Sequence, residues 1–321
     1  VSAGLTIPRV TRLAPSPTGA LHLGNARTFL ATWAHARQRG WRIILRIEDI
    51  DGPRIKPGTT QQAMDDLAWL GIDWDDEPTV QSHSLTHYVD AADRLVKMGV
   101  AYPCVCTRKE VETASSAPHA DDGSSVYPGT CRGRFGSLAD AQAQTGRLPA
   151  VRFRVPDETF TFVDRFAGRQ SFDLPNRIGD FVIAKPDRSP AYQLAVVVDD
   201  VLANVTDVIR GDDLLDSVPR QVLLYRALGH TDRVPDYYHL PLVVGTDGRR
   251  LAKRHGDTRL SSYRDAGVRA DRMRAWLANS LGVDAGDTIR SAELVERFAF
   301  DRVPNHPIVF GAADDAWLRI A

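Results

Sequence analysis

Apolar positions along the chain recur with two periods, and the switches between them outline the elements. Val10, Leu13 and Ala14 mark a strand over residues 9–14. Beyond a turn holding Pro15, Pro17 and Gly19, apolar residues fall at Leu23, Ala26, Leu30 and Trp33, the three-and-four spacing of a helix. Gly40 stops that helix, and 41–48 reads as a second strand. Ala63, Leu67 and Leu70 stripe the next helix, with Thr59 and Gln62 expected as a capping box and Gly71 as its end. Tyr88, Ala91, Leu95 and Met98 place another over about 84–98, closed by Gly99. The order βαβαα predicts a nucleotide-binding half-fold.

The pattern then changes. Residues 150–155 alternate apolar and basic, 159–166 are rich in β-forming residues, and 179–183 add a further short strand. The stretch 101–190 therefore reads as an insertion between two halves of a sheet. Residues 190–200 form a nearly unbroken apolar run, expected as a buried parallel strand, and 205–213 as the next. Val218, Val222, Tyr225 and Leu228 share a helix face, with Ser217 expected as cap and Gly229 as stop. A strand over 237–244 and the turn at Asp247-Gly248 follow. Met273, Trp276, Leu277 and Leu281 predict a helix over 266–281; 291–298 reads as another, and 302–321 as irregular. The expected segments are 1–100, 101–190, 191–257 and 258–321.

Length and charge bound the picture without deciding it. At 321 residues, two or three units are expected. With 40 basic and 41 acidic residues, any nucleic-acid surface must be a local patch. The apolar run 194–198 is too short to span a bilayer and ends in Asp199-Asp200. No secretory pattern opens the chain, and three cysteines cannot all pair. A soluble cytoplasmic protein is expected.

Candidate chemistry gathers at three places. The run 12–25, R-L-A-P-S-P-T-G-A-L-H-L-G-N, sets His22 and Gly24 at a helix N-terminus that follows a strand. Free amides and the dipole make such a place an anion site, although neither common glycine-rich phosphate motif occurs. Glu48 and the acidic turn after it stand at a strand's carboxyl end, as does Arg210. Cys104, Cys106 and Cys131 are candidates for three of the four ligands of a structural zinc, with either His119 or Tyr127 as the fourth; three reduced, unligated thiols are the alternative. Arg132, Arg134, Arg147, Arg152 and Arg154 of the insertion are candidates for phosphate contacts, though scattered arginines commonly serve solvation alone.

The H-x-G-[H/N] pattern at His22 resembles the first signature of class I aminoacyl-tRNA synthetases, and the longer 14–27 run resembles their glutamyl/glutaminyl branch. The family's second histidine is Asn25 here. R-I-E-D-x-D-x-x-R over 46–54, A-Y-x-L-A-V-V-V-D-D over 191–200 and V-I-R-G-x-D-L over 208–214 resemble further motifs of that branch. The basic run 250–256 stands where the family has K-M-S-K-S, with Lys253 as its last lysine and Ala252 in place of the serine. The resemblance implies an α/β fold with a Rossmann-like doubly wound parallel sheet, an inserted α+β zinc-binding subdomain and a short helical C-terminal region.

It further implies that Glu48 takes the α-amino group of glutamate, and that Arg12, Leu13, Ala14, Pro15, Ser16, Tyr192 and Arg210 line the amino-acid pocket. ATP is assigned to His22, Gly24, Asn25 and Lys253, with His22, Asn25 and Lys253 acting on the transferring phosphates alongside Mg²⁺. C-x-C…Y-x-x-x-C is similar to the zinc site of the glutamyl-queuosine tRNA(Asp) synthetases, in which the tyrosine is a ligand; this favours Tyr127. The implied reaction is activation of L-glutamate as the adenylate, then transfer to queuosine in the tRNA(Asp) anticodon, by a monomer. Residues 283–321 are expected to be too few for the anticodon-binding region of a glutamyl-tRNA synthetase. A truncated synthetase charging a tRNA 3′ end, a non-catalytic nucleotide- and amino-acid-binding paralogue, and another nucleotidyltransferase sharing H-x-G-H remain open.

Overall fold

The computed structural model describes residues 8–50, 55–114, 126–251 and 256–320. Its first strand, β1 (Val10–Leu13), is buried throughout and leads through the proline turn into α1 (Leu23–Arg39). Gly40, at φ 66°, ends α1 in the left-handed conformation that glycine adopts without strain, and β2 (Arg42–Ile47) follows. Next come α2 (Thr59–Trp69), the short β3 (Thr79–Val80) and α3 (Leu85–Lys97). The strands pair in parallel in the order β1-β2-β3, with Val10 opposite Arg42 and Arg46 opposite Thr79.

Between 101 and 190 the pairing is antiparallel. β4 (Ala101–Cys104), α4 (Arg108–Ala114), α5 (Leu138–Thr145) and β5 (Ala150–Phe153) precede a hairpin of β6 (Thr159–Asp164) and β7 (Gly168–Asp173). β8 (Phe181–Ala184) then closes a β4-β5-β8 sheet. α6 (Tyr192–Leu202) returns the chain to the parallel layer, where β9 (Asp207–Gly211) lies against β1. There the Thr206 amide donates to the Val10 carbonyl (2.9 Å) and the Thr11 hydroxyl to the Asp207 carbonyl (2.9 Å). α7 (Ser217–Ala227) leads to β10 (Asp236–Leu240), parallel to β9 with His239 opposite Arg210. β11 (Val243–Gly245), α8 (Leu260–Asp265), α9 (Ala270–Ser280), α10 (Ser291–Arg297), β12 (Ile308–Phe310) and α11 (Ala312–Leu318) follow, β12 pairing in parallel with β11.

Among the described residues, strand pleating separates the two larger of three apolar clusters in the mixed α/β architecture. On β2, Ile43, Leu45 and Ile47 face α1, α2 and α9, whereas Ile44 joins the core of α3, α6, α7 and the hairpin's Phe160 and Phe172. No described helix is long and apolar enough to cross a membrane.

Several expectations are corrected. The run 190–200 is not a strand: it belongs largely to α6. An unbroken apolar run carries no period, so it suits a helix buried on every side as well as a strand. Leu194 and the four residues after it are all buried, and α6 packs against α3, α7 and β8. Valine costs a helix only a few tenths of a kcal/mol, against roughly 1.5 kcal/mol or more for burying its side chain. The strand expected over 237–244 breaks at Pro241, which has no N–H for a ladder, into β10 and β11. The helix expected over 266–281 starts only at Ala270, because Gly267 at φ 84° follows the end of α8. Residues 302–320 are not irregular throughout, since β12 and α11 lie there and Phe310 and Leu318 join the core. Thr59 and Ser217 do not cap their helices: they follow Gly58 and Asp216, and neither helix start carries a side-chain cap. Met98 is 52% exposed, and on the buried face Ala92 is fully buried where Ala91 was expected, Ala91 being only partly buried.

Candidate active site

β1, β2 and β9 end at one edge of the parallel layer, and ligands of open α/β sheets gather at such carboxyl ends. A cavity of about 510 Å³ lies there. Two loops are locked together as its wall: the Glu48 amide donates to the Pro15 carbonyl (3.0 Å), and the Ser16 hydroxyl to the Glu48 carbonyl (3.0 Å). Of the residues singled out in the sequence, Arg12, Ala14, Pro15, Ser16, His22, Gly24, Asn25, Glu48, Tyr192 and Arg210 line the cavity. The Leu13 side chain does not, because the pleat of β1 turns it into the apolar core. Lys253, Ala252 and His119 lie outside the described residues.

Arg12 and Arg210 bring two buried guanidinium groups to this cavity. Burial pushes Arg12 down from its ordinary value; Asp200, 4.0 Å from its Nε, offsets this only in part. That Nε has no hydrogen-bond partner. Glu48 is pushed up by burial and held back by Arg46 and Arg12. From β2, Arg46 donates through Nη2 to Glu48 (3.0 Å) and through Nη1 to Asp200 (2.6 Å). Burial opposes the charge on Arg46, but Asp200, Glu48 and Asp199 hold it well above its ordinary value. Asp199 also accepts from the Tyr88 hydroxyl (2.8 Å) and from Gln81 (2.6 Å). Buried charges of this kind persist because they are paired. Helix α6 thus supplies both carboxylates and sets Tyr192, in its first turn, at the lip of the cavity.

Arg210 is held from behind. Its Nε donates to His239 Nε2 (2.9 Å) and its Nη2 to the Leu214 carbonyl (3.2 Å), while Nη1 is buried without a partner. Burial lowers His239 to about 4, against the pull of Asp164 upward, so the ring is neutral at pH 7. Its Nδ1–H is then the donor to Asp164 Oδ2 (2.6 Å), leaving Nε2 as an acceptor. Asp164 ends β6 and also accepts from the amides of His239, Phe166 and Ala167.

At the other side of the cavity, His22 caps α1 through its backbone alone, and its Nδ1 is buried without a partner. Burial, assisted by Arg250, lowers His22 to about 4. A neutral imidazole beside a helix N-terminus offers one N–H to an anion. A Cβ at Gly24 would stand 3.4 Å from the His22 ring, so glycine leaves the space between ring and helix open. Arg250 pairs with Asp213 (2.7 Å), and both line the cavity.

A second cluster occupies the insertion. The sulfurs of Cys104, Cys106 and Cys131 lie within 4.8 Å of one another. The Tyr127 oxygen is 3.4 Å from Cys104 Sγ and 3.5 Å from Cys106 Sγ, and accepts from the Cys131 amide (2.8 Å). Burial raises the Cys106 thiol to about 11. Arg152 donates to Cys104 Sγ (3.2 Å) and stacks over the Tyr127 ring, 3.9 Å from its centre.

A sequence model of the family "tRNA synthetases class I (E and Q), catalytic domain" matches residues 9–310. The chain belongs to this family. Relatives of this class I synthetase include the glutamyl-Q tRNA(Asp) synthetase of Symbiobacterium thermophilum, 48% identical over 92% of this chain and 94% of the relative. That of Rhodopirellula baltica is 46% identical over 95% and 98%. A glutamate tRNA ligase from Elizabethkingia meningosepticum, solved in complex with its amino acid, superposes with a TM-score of 0.82 at 27% identity. That likeness covers 97% of this synthetase chain and 69% of the ligase chain.

Asp164 and His239 carried no role in the sequence reading, and Arg46, Asp199, Asp200 and Arg250 entered only as letters of motifs. Reading 190–200 as a strand concealed the aspartates, since a strand end there promises solvent. The signal for His239 was its position: in parallel strands it falls level with Arg210. That register needs the pairing itself, which one sequence does not reveal.

Proposed function

We propose that this synthetase activates L-glutamate with ATP and transfers the glutamyl group to the queuosine base of tRNA(Asp). One observation carries the glutamate assignment: two buried guanidinium groups, each with an unpartnered nitrogen, share a cavity with the Glu48 carboxylate. An α-amino acid with an acidic side chain has the complementary set of two carboxylates and one ammonium. Arginine meets a carboxylate with two parallel N–H bonds, which lysine cannot. Arg12 and Arg210 clamp the carboxylates, and Glu48, held in place by its ion pair with Arg46, receives the ammonium. The acceptor assignment rests on the glutamyl-Q relatives.

The parallel layer supports the Rossmann-like, doubly wound reading of the core. ATP, as its magnesium complex, lies with its phosphates against His22, Gly24 and Asn25 at the start of α1. A carboxylate oxygen of glutamate attacks the α-phosphorus, the bond to the β-phosphate oxygen breaks, and pyrophosphate leaves. A nucleophile of the queuosine base then attacks the acyl carbon and AMP departs. No protein nucleophile is needed, because positioning and fixed positive charge do the work. Lys253 is assigned to the pyrophosphate side.

The nearness of three thiols, within 4.8 Å of one another, and of the Tyr127 oxygen beside two of them supports a four-ligand zinc site, so Cys104, Cys106, Tyr127 and Cys131 are the ligands we assign. Zinc there cross-links β4 to the loop before α5. Glutamate-dependent ATP–pyrophosphate exchange, measured without tRNA, tests the activation step. Exchange with glutamate and none with glutamine is expected; no exchange under any condition overturns the reading.

A further inference from the structure

We propose that His239 is a positioning residue for glutamate, holding the guanidinium of Arg210 so that one edge of it is presented to the cavity. The proposal rests on the glutamate reading above. A guanidinium has two usable edges, Nε with Nη2 and Nη1 with Nη2. The first is taken up by the protein, through His239 Nε2 (2.9 Å) and the Leu214 carbonyl (3.2 Å). The second edge is left for a carboxylate, and its Nη1 is buried with no partner.

The holding group must be a neutral acceptor. A carboxylate at 239 would neutralise Arg210 and compete with the substrate, and a protonated imidazole would repel it. Asp164 fixes the required tautomer by accepting from Nδ1 (2.6 Å), while also accepting from the His239 amide (3.1 Å). Three of its acceptor contacts come from backbone amides, so this carboxylate cannot swing away without unmaking the β6–β7 turn. The hairpin of the insertion therefore sets the orientation of a side chain in the glutamate pocket.

A histidine that only fills the core would respond to substitution through stability alone. The experiment compares His239→Asn, which keeps a donor toward Asp164 but removes the acceptor at Nε2, with His239→Gln, whose amide oxygen reaches toward Arg210. Pyrophosphate exchange is read at varied glutamate and at varied ATP. His239→Asn is expected to raise KM for glutamate roughly tenfold to a hundredfold, the worth of one hydrogen bond to a charged group. KM for ATP should stay within about twofold, and His239→Gln should recover most of the loss.

An unchanged KM for glutamate in His239→Asn, or an equal rise in both KM values, overturns the proposal while leaving glutamate activation standing. Absence of glutamate-dependent exchange in the wild type overturns both. Should the variants fail to fold, ¹⁵N NMR of wild-type imidazoles decides: His239 is expected as the Nδ1–H tautomer at neutral pH. The Nε2–H tautomer or an imidazolium contradicts the proposal.

Discussion

Replacing Arg210 by lysine tests the pocket most sharply, because it preserves the charge and removes the fork. In the wild type, one edge of Arg210 is occupied by His239 and Leu214, and the other, with Nη1 unpartnered, is the edge we propose for the substrate carboxylate. Each charge-assisted hydrogen bond is worth about 1.5–3 kcal/mol. A lysine ammonium supplies one such bond where arginine supplies two, so Arg210→Lys loses about 1.5–3 kcal/mol, roughly tenfold to a hundred-and-fifty-fold in kcat/KM for glutamate. It also leaves His239 Nε2 buried with no donor. Arg210→Ala forfeits both bonds and is expected to abolish measurable exchange. The assay is glutamate-dependent pyrophosphate exchange at saturating ATP, with thermal melts to establish folding. An Arg210→Lys enzyme within threefold of wild type would refute the bidentate assignment, and near-normal exchange by Arg210→Ala would remove the residue from the pocket altogether.

Glu48→Gln keeps the shape but not the charge that receives the ammonium, so KM for glutamate should rise about tenfold or more at unchanged KM for ATP; a proportional rise in both would point to general disruption. Zinc content, measured on purified protein, should be near one per chain in the wild type and in His119→Ala. It should be lost in Cys131→Ser and reduced in Tyr127→Phe, and full retention by Cys131→Ser would exclude the proposed ligand set. Stability should fall in mild acid: His239 is held down to about 4 against 6.5 in the unfolded chain. The unfolded state therefore takes up that proton first, and the stabilisation present above pH 6.5 drains away as pH drops toward 4. By pH 5 the loss from this one residue is roughly 2 kcal/mol. Urea midpoints at pH 7 and pH 5 measure it for wild type against His239→Gln, which should show the smaller drop.

Local signals served well where period and punctuation agreed. The helix after the proline turn, its end at Gly40 and the strand after it were legible because Leu23, Ala26, Leu30 and Trp33 keep one face buried. The cavity lining was legible for a different reason: Arg12, Ser16, His22, Glu48 and Arg210 all stand at or just beyond strand ends, where the topology leaves an open edge. Illegible features were those that depend on what packs outside an element. Helix α6 looked like a strand because burial on every side erases the helical period. With it went the pairing of Asp199 and Asp200 to Arg46, which needs a helical turn to bring both carboxylates to one guanidinium. The Asp164–His239–Arg210 chain joins three strands distant in sequence, and no spacing rule announces it. Likewise β12 was missed because a three-residue strand is defined by its partner β11, not by its own pattern.

Transfer of labelled glutamate to tRNA(Asp) measures the central claim most directly, using one tRNA preparation that carries queuosine and one that lacks it. Label is expected on the queuosine-containing tRNA alone, and it should still be acquired by that tRNA after its 3′-terminal adenosine has been removed enzymatically. Equal labelling of the two preparations, or loss of labelling when that adenosine is removed, would contradict it.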